Sequence, residues 1–285
     1  MKIRTDFKDR RAVRNVLVLA FAQATLGAQL PMLFILGGLA GQHLASNSCL
    51  ATLPVSMIII GSTLSAPLLS TFMQSFGRRL GFFVGTTFGA LGATISSYAL
   101  IQESFGIFLL GSLITGIYMS SYGFYRFAAT DTASREFRPK AISYVVAAGL
   151  ISAVLGPQLV KETSQLFLQP FLGAYLTIVL MNTFGVFIFF FLDIPINNFK
   201  NATVGQGRSF YKLLTTPQIK LAILCAMIAY ASMNLMMTAT PLAVVGCGFS
   251  ERNAADVVMV HVLAMAIPSF FTGHLIIRYG TKKVL

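Results

Sequence analysis

Long runs free of charged residues recur from one end of this chain to the other, and they constrain its fold more than any other feature. A helix rises about 1.5 Å per residue and the hydrocarbon layer of a bilayer is about 30 Å thick, so roughly 20 mainly apolar residues make one crossing. Eight segments meet that length: Val16–Leu39, Leu53–Met73, Leu80–Ile101, Phe105–Tyr125, Ala141–Val160, Phe171–Leu192, Ile219–Val245 and Ala254–Ile277. Lipid offers no partner to backbone N–H and C=O groups, which leaves helices or a closed barrel. The runs lack the apolar–polar alternation of barrel strands, so the expected fold class is all-α, a polytopic transmembrane helical bundle. The first run follows a basic flank, as a secretory signal does. It is about twice as long as a signal's apolar region and reads as a retained span.

Orientation follows from Lys and Arg. Of the 21 in the chain, 19 fall in the N-terminal tail, the connections after the second, fourth and sixth runs and the C-terminal tail; Lys161 and Arg252 alone fall on the other side. Cytoplasmic loops retain the positive charge, so the N-terminus is expected in the cytoplasm, and a bacterial cytoplasmic (inner) membrane fits. The formal charge of +12 is scattered in short clusters between apolar runs, which argues for a bilayer and against nucleic acid as the partner. Cys49, Cys225 and Cys247 are far apart, without metal-ligand spacing, and read as free thiols; a bridge between Cys49 and Cys247 stays open.

The longest polar stretch, Ile194–Pro217, holds Pro195, Asn197, Asn198, Asn201, Gly205 and Gly207 and reads as a linker. It divides residues 1–193, a six-helix bundle, from residues 219–285, the first two helices of a second one, with 194–218 between them. An internal echo supports the division: Ser70-Thr-Phe-Met-Gln-Ser-Phe-Gly-Arg-Arg after the second run is matched by Gly273-His-Leu-Ile-Ile-Arg-Tyr-Gly-Thr-Lys-Lys after the eighth. Parallel repeats of this kind are one way transporters are built.

These residues resemble the major facilitator superfamily, whose members carry two six-helix bundles and a Gly-x-x-x-Asp-Arg-x-Gly-Arg-Arg motif between helices 2 and 3. Gly77, Arg78 and Arg79 match the end of the motif, whereas Ser70, Gln74 and Ser75 replace its first Gly, its Asp and its first Arg. The resemblance implies a latch between the halves, gated here by Gln74, Gly77, Arg78, Arg79 and the echoed Gly280; Gln74 can hydrogen-bond but cannot form an ion pair. Tyr125-Arg-Phe-Ala-Ala-Thr-Asp-Thr-Ala, Arg138-Pro-Lys-Ala-Ile-Ser-Tyr and Leu155-Gly-Pro-Gln look like a bacterial subgroup of the family. Gly149, Gly156 and Pro157 loosely resemble an antiporter motif, in which Pro frees a carbonyl and Gly allows close helix approach; Gln158-Leu159 stands where that motif has Gly-Gly. The resemblance also implies helices 9 to 12. Their absence from these 285 residues fits a truncated sequence, a split gene product or assembly with a missing C-terminal segment of the same protein.

Polar side chains deep in a span are the candidates for function. No Asp, Glu, Lys or Arg lies near a midplane. In the first run Gln23 and Gln29 point to different faces, and each either lines a cavity or bonds between helices. Pro31 would bend that helix. Tyr118, Tyr122 and Tyr125 stack on one face of the fourth, Tyr125 at the interface where tyrosine is an ordinary anchor. Tyr230 and Asn234 repeat the device in the seventh, beside Met233, Met236 and Met237, which either form an adaptable wall or fill the core. The resemblance implies that helices 1, 4, 7 and 10 line a central cavity, which makes Gln23, Gln29, Tyr118, Tyr122, Tyr230 and Asn234 the substrate-binding candidates. His261 is either a proton switch or a neutral histidine bonded between helices. Asn182 reads as packing glue, and Arg126 either pairs with Asp131 or snorkels to the interface.

The expected function is secondary transport by alternating access of a small, neutral or amphipathic solute, with the lipid bilayer and that solute as partners. Two alternatives stand beside it: a non-transporting membrane fragment or partner subunit, and a lipid enzyme. The second would need a reactive constellation, and no HExxH, GxSxG, DDxxD or clustered His and carboxylates are found, so neither enzyme chemistry nor a cofactor or metal is expected.

Overall fold

The computed structural model describes residues 10–134, 136–195, 214–267 and 279. Among the described residues the chain is helical, without strands: α1 Arg10–Thr25, α2 Gln29–Leu44, α3 Leu53–Phe76, α4 Arg78–Ile101, α5 Phe105–Gly123, α6 Tyr125–Ala128, α7 Arg138–Thr163, α8 Leu172–Gly185, α9 Pro217–Gly246 and α10 Glu251–Ala266. Seven helices are long and apolar enough to cross a membrane: the joined α1 and α2, α3, α4, α5 with α6, α7, α8 with its extension, and α9. The eighth expected run begins in α10, and its continuation past Ile267 lies outside the described residues, as do Gly280 and most of the polar linker.

The first span changes its winding midway. Leu26–Ala28 form a 3₁₀ turn between α1 and α2. Pro31 has no N–H to give to the carbonyl four residues back, that of Gly27, and its ring crowds that position, so a tighter turn takes over just before it. The bend expected from Pro31 is thus placed at Leu26–Ala28. A second 3₁₀ segment, Val186–Phe191, closes the sixth span after α8.

α4 shows how the bundle packs. Its buried face carries Gly81, Gly85, Gly89, Gly92, Ser96 and Ser97, a strip of small residues at helical spacing. Such strips let helix axes approach closely where lipid supplies no hydrophobic drive for association. The strip lies against α5 and α8. Where α4 crosses α5, a Cβ on Gly92 would sit 2.7 Å from the Gly111 carbonyl oxygen, and one on Gly111 would sit 2.8 Å from that of Gly92. Only glycine fits there.

Two apolar clusters are stacked along the bundle. One, at the N-terminal end, gathers Val16, Leu19, Met73, Phe82, Tyr118, Tyr125 and Phe189; the other gathers Ile35, Leu36, Leu39, Phe108, Tyr175 and Ile178. Leucines and phenylalanines on the outer faces, Leu17, Leu64, Leu68, Phe184, Phe187 and Leu224 among them, are left exposed. An apolar surface of that extent needs lipid, and the chain is an integral membrane protein.

α9 packs on α2, and α10 packs on α7 and α9. At the end away from the N-terminus, α7 and α10 are joined by ion pairs between Lys161 and Asp256 and, at 2.6 Å, between Arg252 and Glu162. α10 starts from a capping box in which the Ser250 side chain accepts from the Asn253 backbone N–H. At the opposite end Arg11 and Arg14 pair with Asp193, and the Asn15 amide donates to the Asp193 carbonyl at 2.7 Å, tying the start of the first span to the end of the sixth. The three cysteines are free and exposed.

Candidate functional site

A cavity of about 760 Å³ opens where the break in the first span faces α3, α5, α7, α9 and α10. That volume lies in the range of small-molecule pockets. Gln23, Gly27, Leu30, Pro31 and Phe34 come from the first span, Met119, Ser120 and Tyr122 from α5, Gly149 and Ser152 from α7, Tyr230, Met233 and Met237 from α9, and Val262 and Met265 from α10. Phe124, Arg126 and Phe127 form its rim at the N-terminal end. The wall is apolar and aromatic with a few uncharged polar groups, and Arg126 is the single charged residue in it among the described residues.

The two glutamines of the first span separate at this wall. Gln23 faces the cavity, where its Nε2 donates to the Tyr122 hydroxyl. Gln29, six residues on, is fully buried against α8, where its Nε2 donates to Asn182 Oδ1 at 3.3 Å and its Oε1 accepts from Asn182 Nδ2 at 2.9 Å. Its amide is paired with Asn182 through both nitrogen and oxygen and is no part of the cavity wall.

The tyrosine stripe divides in the same way. Tyr118 is wholly buried and donates to the Leu26 carbonyl at 2.9 Å, an oxygen at the 3₁₀ turn. Tyr122, one turn on, reaches the cavity. Tyr125 is not the interfacial anchor its position suggested: it is fully buried, with its ring centroid 5.0 Å from Phe82 and 5.7 Å from Phe189. α5 ends at Gly123, and the short α6 that follows turns Tyr125 inward. In α9, Tyr230 lines the cavity; Asn234 does not, its Nδ2 donating back to the Tyr230 carbonyl at 2.8 Å while its Oδ1 is buried without a partner among the described residues. Met233 and Met237 are wall residues, and Met236 points away, exposed.

The gating candidates lie apart. Gly77 takes φ +91° at the sharp corner between α3 and α4, a conformation glycine adopts without penalty. Arg78 pairs with Asp131 at 2.9 Å, so Asp131 is engaged across helices and not by Arg126. The Arg126 guanidinium lies over the Phe127 ring at 5.1 Å. Arg79 lies over Phe83 and Phe190, at 5.6 and 5.1 Å. Gln74 is exposed. Gly156 and Pro157 are buried in α7 where it crosses the first span: a Cβ on Gly156 would lie 2.7 Å from Pro31 Cγ. His261 is half-buried in α10, and its Nε2 finds no hydrogen-bond partner among the described residues. No group of three or more His, Cys, Asp or Glu able to hold a metal occurs among them either.

The family profile described as Major Facilitator Superfamily matches residues 15–285, nearly the whole chain. The chain belongs to the major facilitator superfamily. Three curated relatives are similar to it. The riboflavin transporter RfnT of Brucella anthropi is 39% identical over 275 residues, covering 96% of this chain and 69% of its own length. The uncharacterized MFS-type transporters YddS and YdeG of Bacillus subtilis are 27% and 28% identical, each covering 94% of this chain and 65% of its own length. The chain thus spans about two thirds of the length of these superfamily relatives. Membership points to transport and away from enzyme chemistry. Of the cavity residues, Phe34, Ser120, Phe124, Arg126 and Ser152 were not singled out as solute contacts in the sequence. Serines and phenylalanines carry no signal in an apolar run, and Arg126 reads first as an interfacial cation.

Proposed function

We propose that the protein carries a flat, uncharged, amphipathic solute of the riboflavin kind across a bacterial cytoplasmic membrane by alternating access, with its N-terminus in the cytoplasm. The observation that carries this reading is the cavity: its wall is drawn from helices on both sides of the polar linker, and Arg126 at its rim is the single charge in it among the described residues. Aromatic and methionine side chains suit the faces of a planar ring system, while Gln23, Tyr122, Ser120, Ser152 and Tyr230 supply neutral hydrogen-bonding groups. The similarity to a riboflavin transporter supports the choice of solute class.

In this reading residues 1–193 form one bundle, 194–218 the linker, and 219–285 the first two helices of a second bundle. The pairs Lys161–Asp256 and Arg252–Glu162 hold the outer end shut while the rim at Arg126 and Phe127 faces the cytoplasm, an inward-facing arrangement. Rocking of the two halves would exchange which end is open. Gly77 and Arg78 set the inner closure, Gly149, Gly156 and Pro157 form the close crossing on which α7 pivots, and His261 is the candidate to follow external protons.

The test is uptake and efflux of riboflavin in cells that lack flavin synthesis and other flavin carriers, expressing the complete reading frame. Growth on low external riboflavin, or energy-dependent efflux of it, is expected. Neither, with the protein present in the membrane, would sink the reading.

A further inference from the structure

The wall of the cavity carries a more specific instruction than neutrality. A buried amide that binds a second amide engages both its nitrogen and its oxygen, as Gln29 and Asn182 do. Gln23 does not. One N–H of its Nε2 bonds the Tyr122 oxygen, while its Oε1 accepts nothing from the described residues and is not sealed from the cavity. The Tyr122 hydroxyl, having accepted that bond, keeps its own hydrogen free to donate. The pair therefore presents an acceptor beside a donor, held in one hydrogen-bonded unit. Rotating the amide exchanges the two roles, Nε2 then donating to the cavity and the Tyr122 oxygen accepting from it.

Space has been left around this unit. A Cβ on Gly27 would come within 3.0 Å of Tyr122 Cε2, and one on Gly149 within 3.4 Å of Gln23 Nε2. Larger residues at either position would crowd the two side chains. Phe34 and Tyr230 from the first span and α9, with Met119 and Met233, supply apolar faces in the same wall.

We infer that Gln23 and Tyr122 together read a lactam or imide edge, an N–H beside a C=O, on a planar heterocyclic solute. Gln23 Oε1 accepts the solute N–H and the Tyr122 hydroxyl donates to its carbonyl. The inference rests on the transport reading above and sharpens it, because a flavin ring carries such an edge, whereas a solute with only ether or hydroxyl groups does not. A site whose polar groups are matched to an N–H rejects an analogue that lacks it, since the acceptor is then left unpaired.

The test uses two pairs of compounds that differ by one N-methyl group: riboflavin with 3-methylriboflavin, and thymidine with 3-methylthymidine. Equilibrium binding to the purified full-length protein in detergent should favour the N–H member by about tenfold or more. In Gln23→Leu the preference should fall below about threefold while the methylated member binds no worse. Gln23→Met, closer in shape to glutamine and equally without the amide oxygen, serves the same purpose if Gln23→Leu does not purify. A wild-type preference below threefold in every pair that binds, an unchanged preference in the variants, or no binding of either N–H compound would overturn the assignment. Discrimination within the thymidine pair without any flavin binding would remove the flavin as solute and keep the edge recognition, so the two readings fail separately.

Discussion

Gln29 and Asn182 grip each other through both ends of their amides, inside the bundle and out of reach of the cavity. The pair sits between the two apolar clusters and joins the first span to α8. Replacing one partner leaves the other buried amide with an unpaired oxygen, although Asn182 keeps its bond to the Ile178 carbonyl, and costs about 1–3 kcal/mol, whereas replacing both with leucine removes the orphan. Gln29→Leu and Asn182→Leu should each lower the melting temperature in detergent, and the double variant should recover part of the loss. A strictly additive double-mutant cycle would contradict the pairing.

Tyr118 and Tyr122 lie one turn apart and should respond oppositely. Tyr118→Phe removes the bond to the Leu26 carbonyl and should destabilise by about 1 kcal/mol while leaving solute uptake near wild type. Tyr122→Phe should leave the melting temperature within about 2 °C and reduce uptake about tenfold at limiting solute. Thermal unfolding and initial uptake rates measured on the same preparations check both halves.

The Arg78–Asp131 pair, each side chain about a quarter exposed, links the start of α4 to the segment after α6. Screening at that exposure leaves about 1 kcal/mol, a shift of about fivefold in a two-state equilibrium. Asp131→Asn should therefore weaken the folded bundle by about that factor, read as a fall of melting temperature in detergent. Exchanging the two charges should restore at least half of the effect.

Asp193 gives a pH signature. The hydrogen bond from Arg11 holds its carboxyl below the ordinary value against a smaller opposing effect of burial, with the Arg11 and Arg14 charges adding to the lowering. A lowered folded-state pKa means that the stabilisation is present above the ordinary aspartate range and is lost as pH falls through the lowered value. Wild type should thus lose more of its melting temperature between pH 7 and pH 3 than Asp193→Asn does, and the difference between them should narrow toward the acid end. The same difference should shrink at high salt, since the carboxylate and both guanidinium groups are exposed.

Gly92 and Gly111 test the packing of α4 on α5. Alanine at either position places a methyl against partner backbone that cannot yield, and should destabilise by about 1–3 kcal/mol. Alanine at Gly106, where the added atom meets nothing within 4 Å, is the matched control and should be neutral or better.

Much of the fold was legible because lipid imposes one rule on every span: the apolar runs from Leu53, Leu80 and Phe105 each became a helix close to the expected bounds. Pro31 marked the irregularity in the first span, because the missing N–H is a local fact. The site was less legible, for a geometric reason. Six residues separate Gln23 from Gln29, enough to say that they face different ways but not which way holds the cavity; that depends on where α8 and its Asn182 sit. Asp131 had two arginines within reach, Arg126 near it in sequence and Arg78 across the bundle, and only the packed helices choose between them. Tyr125 turned inward because α5 stops two residues before it, a boundary that a run of Tyr, Gly and Phe does not announce.

The 3₁₀ turn at Leu26–Ala28 separates two rods that answer to different neighbours, α1 anchored through Asn15 and Arg11 to Asp193, and α2 lying against α9. Were α9 to tilt, α2 is the rod in contact with it and α1 the one moored, so the tightened turn between them would serve as a knee. Gln23 lies just below that knee and Phe34 just above it, so each flexion widens or narrows the slot that a ring must enter.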